Sequence, residues 1–294
     1  MMIRDGYHQL SDGRNLSFTE YGDAQGFPIF AFHGLPGSRL WFNENDEVSN
    51  SLGIRLITVD RPGFGNSDLK PKRSFLDFSK DIEELCQQLS IKRYSVLGIS
   101  GGGVYAAACA LQNSKAVHKC GLISTVAPFE NGKPPKNMAA ENRNVFILAR
   151  RFPWLLKLML NQQKSMINKK PDQYMAAIMS NTKHLCDSDR KIMEKKENAE
   201  FMLTHMGEAF KKGVQETVNE AKLFCKDWGF DVKKIDVPVE IWHGTEDTLS
   251  PIEPIQKLAN NVPRSQKNFI SGKGHFLTEE KDIWEKILLS LKTE

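Results

Sequence analysis

Three short segments hold residues whose types and order suit covalent chemistry at a carbonyl carbon. In Gly98-Ile99-Ser100-Gly101-Gly102 a serine stands where an apolar run, Arg93 to Ile99, gives way to an alanine-rich helical pattern, Gly101 to Asn113. A serine on such a strand-to-helix elbow sits in strained backbone at the top of a sheet, and its glycine neighbours remove Cβ atoms that would clash. The N-terminal N–H groups of the helix then point at the charge that forms when an acyl carbonyl is attacked. A serine nucleophile needs a base, and the base needs an orienting acid. His243-Gly244-Thr245-Glu246-Asp247 puts a carboxylate after the apolar run Val237 to Trp242, and Ser271-Gly272-Lys273-Gly274-His275-Phe276 puts a glycine-flanked histidine after Lys267 to Ile270.

The elements that must position these residues follow from hydrophobic periodicity. Tyr7 to Leu10 and Asn15 to Tyr21, joined by Ser11-Asp12-Gly13-Arg14, predict a β-hairpin. Apolar runs at Pro28 to Phe32, Ile54 to Val59, Tyr94 to Ile99 and Cys120 to Val126 alternate with helical patterns at Leu40 to Ser51, Phe75 to Leu89 and Gly101 to Asn113. That alternation predicts an α/β fold with a largely parallel sheet. From Glu130 to Trp228 no strand-like run occurs, and Pro134-Pro135, Pro153 and Pro171 punctuate helical patterns. Strand and helix patterns resume at Val237 to Trp242, Pro251 to Asn261, Lys267 to Ile270 and Phe276 to Leu291, which makes the middle segment a helical insertion within one fold. In such a sheet the C-terminal strand ends share one edge, where Ser100, Asp247 and His275 can converge.

The insertion holds all the internal methionines, and its 18 Lys and Arg against 12 Asp and Glu give it a charge of +6. Methionine makes an adaptable lid over an apolar substrate, and it is also a good helix former that packs between helices. The cations are expected on solvated faces. The whole chain carries only +4, which argues against a nucleic-acid or anionic-membrane partner. Five cysteines (86, 109, 120, 186 and 225) without C-x-x-C spacing fit reduced thiols. The polar start, Met1 to Leu10, and the absence of a charge-free window of membrane-spanning length predict a cytoplasmic protein with no membrane insertion. No metal-ligand spacing or nucleotide fingerprint occurs, so no metal and no cofactor are expected.

The order Ser, Asp, His with G-x-S-x-G resembles the α/β-hydrolase superfamily over nearly the whole chain. His33-Gly34-Leu35-Pro36-Gly37 is similar to its oxyanion loop, and Asp60-Arg61-Pro62-Gly63-Phe64-Gly65-Asn66-Ser67-Asp68 to its D-x-x-G-x-G-x-S turn. The resemblance implies an eight-stranded, mostly parallel sheet with helices on both faces and a helical cap after the sixth strand: core 1–129 and 229–294, cap 130–228. It implies Ser100 as nucleophile, His275 as base, Asp247 as acid, and the backbone N–H groups of Leu35 and Gly101 as oxyanion donors. Glu246, or Glu130 after the sixth strand, is an alternative acid. His33 is expected to shape the oxyanion loop, Asp60 and Ser67 to fix a turn, His243 to pack, and His8, His118, His184 and His205 to be structural or on the surface.

Serine at position 100 excludes branches that resemble haloalkane dehalogenases and epoxide hydrolases, which need aspartate there. H-G-L-P-G and G-I-S-G-G also depart from the prolyl aminopeptidase patterns H-G-G-P-G and G-G-S-W-G. The expected activity is hydrolysis of a small, hydrophobic carboxylic ester. The same triad and cap also suit a C–C bond hydrolase of diketone substrates, or a hydrolase-fold small-molecule sensor with little turnover.

Overall fold

A computed structural model describes residues 4–293; residues 1–3 of the polar N-terminal segment and residue 294 lie outside the described residues. Eight strands form one sheet in the order β1-β2-β4-β3-β5-β6-β7-β8. β1 (Arg4–Gln9) and β2 (Asn15–Gly22) make the N-terminal hairpin, and β2 also pairs antiparallel with β4 (Ile54–Val59). All other pairings are parallel, through β3 (Phe27–Phe32), β5 (Tyr94–Ile99), β6 (Val117–Ile123), β7 (Val239–Gly244) and β8 (Ser265–Ile270). The central strands are apolar on both sides because helices cover both faces. Phe30 and Phe32 pack with Phe78 of α2 (Asp77–Gln88) and Tyr105 of α3 (Gly102–Gln112), and Ile255 and Leu258 of α10 (Ile252–Asn261) join that layer. Ile29 and Ala31, one residue out of phase, pack with Trp284 and Ile287 of α11 (Lys281–Lys292), on the face that α1 (Asp46–Ser51) also covers.

Six helices intervene between β6 and β7: α4 (Ala140–Arg151), α5 (Pro153–Lys169), α6 (Pro171–Ser180), α7 (Asp187–Met193), α8 (Lys196–Ala209) and α9 (Gln215–Phe224). Pro153 and Pro171 open α5 and α6, where a missing N–H costs nothing. Met138, Met193 and Met206 are buried packing residues and Met159 is half exposed, so these methionines have no common role. Among the described residues no helix is long and apolar enough to cross a membrane. The five cysteines are free thiols, three of them buried.

Several boundaries differ from the sequence expectation: β1 starts three residues earlier, at Arg4, and β7 lies two residues later, at Val239–Gly244. β6 spans Val117–Ile123 rather than Cys120 to Val126. Ser124 adopts φ +43° and ends the strand, while Val126 stays buried and donates its N–H to the Ser100 carbonyl at 3.4 Å. An apolar run thus outlasts the sheet. The pattern at Leu40 to Ser51 splits into a 3-10 turn, Arg39–Asn45, and the short α1, because the successive residues Trp41 and Phe42 are both buried and Phe42 leaves helical geometry. Phe276 to Leu291 likewise divides into a 3-10 turn, Leu277–Glu279, and α11.

Close crossing of β5 and α3 carries a measurable cost. A Cβ on Gly98 would collide with the Gly102 carbonyl, which is backbone and cannot swing aside. Gly98→Ala is expected to destabilise by about 2 kcal/mol or more. Gly207→Ala, in the last turn of α8 with Ile167 at an ordinary 3.5 Å, should stabilise by about 0.5 kcal/mol. Denaturant unfolding of both variants checks the pair, and equal midpoints would refute the steric account.

Candidate active site

Ser100 follows β5 with φ +52°, a left-handed conformation that a non-glycine residue holds only under constraint. The constraint is visible on every side. Its N–H donates to the Ile123 carbonyl at 2.9 Å, and its carbonyl accepts from Gly103 N–H at 3.1 Å. A Cβ on Gly102 would strike the Phe32 carbonyl, and one on Gly103 the Thr125 hydroxyl. The glycines let α3 start against β3 and β6, so that its N-terminus faces Ser100.

The loop after β3 lies beside this elbow. A Cβ on Gly34 would stand 3.4 Å from the Ser100 Cβ, and one on Gly101 3.2 Å from the Leu35 Cβ. His33 shapes the loop. Arg61 N–H donates to its Nε2 at 3.2 Å, so Nδ1 carries the proton and donates to the Gly34 carbonyl at 2.9 Å. Burial, reinforced by the Arg61 charge, holds the His33 imidazole well below its ordinary pKa and therefore neutral. The Arg61 side chain donates to the carbonyls of His33 and, at 3.0 Å, Gly34, and it pairs with Glu220 of α9 at 2.5 Å. Asp60 fixes the neighbouring turn: it accepts from Arg39 N–H at 2.7 Å and Asn66 N–H at 3.0 Å, while Ser67 donates to its carbonyl at 2.7 Å.

Asp247 and His275, the expected acid and base, come together at the ends of β7 and β8. Asp247 Oδ1 accepts from the N–H groups of Leu249 at 2.9 Å and Ser250 at 2.8 Å, which aims Oδ2 at His275 Nδ1, 2.8 Å away. A donating Nδ1 leaves Nε2 bare, the tautomer a general base requires. Burial would lower the His275 pKa, but the Asp247 carboxylate outweighs it and holds the imidazole above its ordinary value. The histidine loop reaches Asp247 by folding over the end of β7. A Cβ on Gly244 would collide with the Lys273 and Gly274 carbonyls, and Glu246 N–H donates to Lys273 at 2.9 Å. Glu246 is exposed, and exposed Glu130 pairs with Lys257 at 3.0 Å, so neither takes the acid's place beside His275. His243 is buried, donates Nε2–H to the Ser250 carbonyl at 2.7 Å, and is pushed below its ordinary pKa by burial.

Two features lay beyond sequence reasoning. Asp189, on α7, accepts from the backbone N–H of His275 at 2.7 Å and of Phe276 at 3.2 Å. Gly274 makes the approach possible, since a Cβ there would collide with the Asp189 carboxylate. Burial raises the Asp189 pKa, and the two N–H donors partly offset that. The second feature is the buried cluster behind the loop after β3. Arg73 pairs with Glu216 at 2.7 Å and Glu220 at 2.6 Å, and Tyr105 donates to Glu220 at 2.9 Å. Burial would raise the Glu220 carboxyl, but Arg61 and Arg73 hold it below its ordinary value. Neither acid sits in a pattern that distinguishes it from a solvated helix residue. His205 of α8 is also buried, its ring 4.5 Å from that of Trp41, and burial lowers its pKa to about 3. Next to His275, the side chains of Trp41, Met193, Phe201, Met202 and Phe276 line a small apolar crevice. Among the described residues no group of His, Cys, Asp or Glu side chains is arranged to hold a metal ion.

Comparison with known proteins agrees with this architecture. The chain is 26% identical to a putative non-heme chloroperoxidase of Synechocystis over 85% of both chains. It is also 26% identical to a 2-hydroxy-6-oxononadienedioate/2-hydroxy-6-oxononatrienedioate hydrolase of Cupriavidus pinatubonensis, over 84% of this chain and 80% of the relative. An esterase from Exiguobacterium antarcticum superposes with a TM-score of 0.72 at 21% identity, covering 99% of this chain and all of the other. Residues 28–282, from the start of β3 into α11, match the model of one family, and the chain accordingly belongs to the alpha/beta hydrolase fold family.

Proposed function

We propose that this chain is a serine hydrolase of small, hydrophobic carboxylic esters, working through an acyl-enzyme. The observation that carries the reading is the buried 2.8 Å hydrogen bond from His275 to Asp247 on the sheet edge that holds Ser100 in left-handed backbone. Ser100 Oγ attacks the ester carbonyl carbon while His275 Nε2 takes its proton. The N–H groups of Leu35 and Gly101 receive the oxyanion, and the α3 N-terminus adds its positive end. Collapse breaks the C–O bond, and the alcohol leaves with the proton returned from His275. A water deprotonated by the same nitrogen then hydrolyses the acyl-enzyme and frees the carboxylate and Ser100. Asp247 keeps Nδ1 protonated and offsets the imidazolium charge.

In this reading residues 1–129 and 229–294 form the catalytic core and 130–228 a cap that shapes the acyl pocket. A panel of p-nitrophenyl esters of rising acyl length, run beside a vinylogous diketone, tests the substrate class. Turnover of the diketone alone would replace the ester reading with C–C hydrolysis. Labelling with a fluorophosphonate tests the nucleophile, and a folded chain that binds hydrophobic ligands but does not label at Ser100 would be a sensor instead.

Ser100→Ala and His275→Ala should each reduce ester kcat by about 10⁶-fold, and Asp247→Asn by about 10⁴-fold. Retention of most activity by His275→Ala would remove the triad assignment. The base must be neutral to accept a proton, so kcat/KM should fall as pH drops through the pKa of His275. Because Asp247 raises that pKa, the midpoint should lie above the ordinary histidine value of about 6.5. A flat profile from about pH 5 to 8 would contradict it.

Asp189 acts as a positioning residue. Asp189→Asn is expected to lower kcat about tenfold with little change in KM, as the histidine loop loses a charged acceptor. Its negative charge also favours the imidazolium, so the midpoint should move down in the variant. An unchanged midpoint would reduce Asp189 to a fold contact.

A further inference from the structure

A second concavity, a groove of about 850 Å³, lies between α4, α10 and the segment that leaves β6, and neither Ser100 nor His275 lines it. Its size falls within the range of small-molecule sites, roughly 300–1,000 Å³. Phe129, Phe146, Ile147 and Leu258 give it an apolar floor. The rim is electrically one-sided: Lys133, Lys136, Arg143, Arg150, Arg151 and Lys257 face a single carboxylate, Glu130. Lys257 is neutralised by Glu130 at 3.0 Å, and Arg150 donates to the carbonyls of Asn131 at 3.3 Å and Gly132 at 3.2 Å. Arg143 donates to the Lys136 carbonyl. Lys133, Lys136 and Arg151 are exposed and have no ion-pair partner among the described residues. Phe224 stands between Phe146 of the groove and the elbow: its ring is 6.1 Å from that of Phe146 and 3.1 Å from where a Gly101 Cβ would stand.

We infer that this groove is a binding site for a single-chain anionic amphiphile, a long-chain carboxylate, separate from the site at Ser100. An alkyl chain displaces water from the Phe129–Phe146–Leu258 floor, and the carboxylate meets Lys133, Lys136 and Arg151 at the rim. Charge complementarity selects this occupant. A neutral alkane gains nothing from the rim, and a cationic amphiphile is repelled by it.

Isothermal titration of the full chain with sodium dodecanoate, kept below its micelle concentration, tests the site, with dodecyltrimethylammonium as the cationic control. Dodecanoate should bind at one site and the ammonium should not. Lys133→Glu/Lys136→Glu/Arg151→Glu should weaken dodecanoate at least about tenfold, with p-nitrophenyl butyrate hydrolysis intact as the folding check. Ile147→Trp, which fills the floor, should abolish binding with the rim charges unchanged. Protein diethylphosphorylated at Ser100 should bind dodecanoate as tightly as the free enzyme. Equal affinity for the two amphiphiles, indifference to charge reversal, or loss of binding on phosphorylation would each overturn the assignment; the last would place dodecanoate in the Ser100 cavity.

Discussion

Arg61 is a cation with no contact with solvent, and the site is built around the need to satisfy it. Moving such a charge out of water costs several kcal/mol even after relaxation, a cost offset only when every donor is matched. Here two donors go to the carbonyls of His33 and Gly34, and the remaining charge meets Glu220. Glu220 in turn lies against Arg73, which also holds Glu216, so two guanidinium groups balance two carboxylates in one closed cluster. The loop after β3 is therefore held by a residue that needs α9. Core and insertion are energetically one unit, whatever their separation along the chain.

The same constraint governs His275. A buried histidine loses proton affinity to desolvation, which would leave it a poor base. His275 escapes that by sitting between two carboxylates with different tasks. Asp247 takes the ring N–H and sets the tautomer, and Asp189 takes the backbone N–H groups and sets where the loop stands. One carboxylate comes from the sheet and the other from the helical insertion. Gly244 and Gly274 make room for this, since a side chain at either position would push the histidine loop off the sheet edge or off α7.

What the sequence made legible and what it hid divide along this line. The central strands, the elbow and the order of Ser100, Asp247 and His275 are local signals: a run of apolar residues, a glycine spacing, a loop after a strand. β6 misled because Val126 is buried for its packing and not for its pairing, and periodicity does not separate the two. Glu246 and Glu130 stood beside Asp247 in the sequence as alternative acids. Only the fold, which buries one and exposes the others, distinguishes them. Asp189 and Glu220 were invisible for a deeper reason: they act on partners 86 and 159 residues away, and an acid on an amphipathic helix carries no mark of a distant N–H or guanidinium.

These ties also rank the ways the site can open. Raising α9 would leave Arg61 and Arg73 as unpaired buried cations, at about 3–5 kcal/mol for each broken pair. Raising α7 would release the His275 loop, and raising α8 would break the Ser38 hydrogen bond to the His205 carbonyl and the ion pair of Arg39 with Glu208. Every such motion breaks a contact that positions the loop after β3, the Asp60 turn or the His275 loop. α5 and α6 differ: their side-chain hydrogen bonds, Gln163 to Tyr174 and Lys164 to the Lys211 carbonyl, stay within the insertion. Displacing them breaks no hydrogen bond or ion pair of the loop after β3, of His275 or of the two buried guanidinium groups, although α5 and α6 pack on α8 and α9. Hydrogen bonds and ion pairs thus tie α7, α8 and α9 to the loops that flank Ser100 and carry His275, whereas those of α5 and α6 do not reach them.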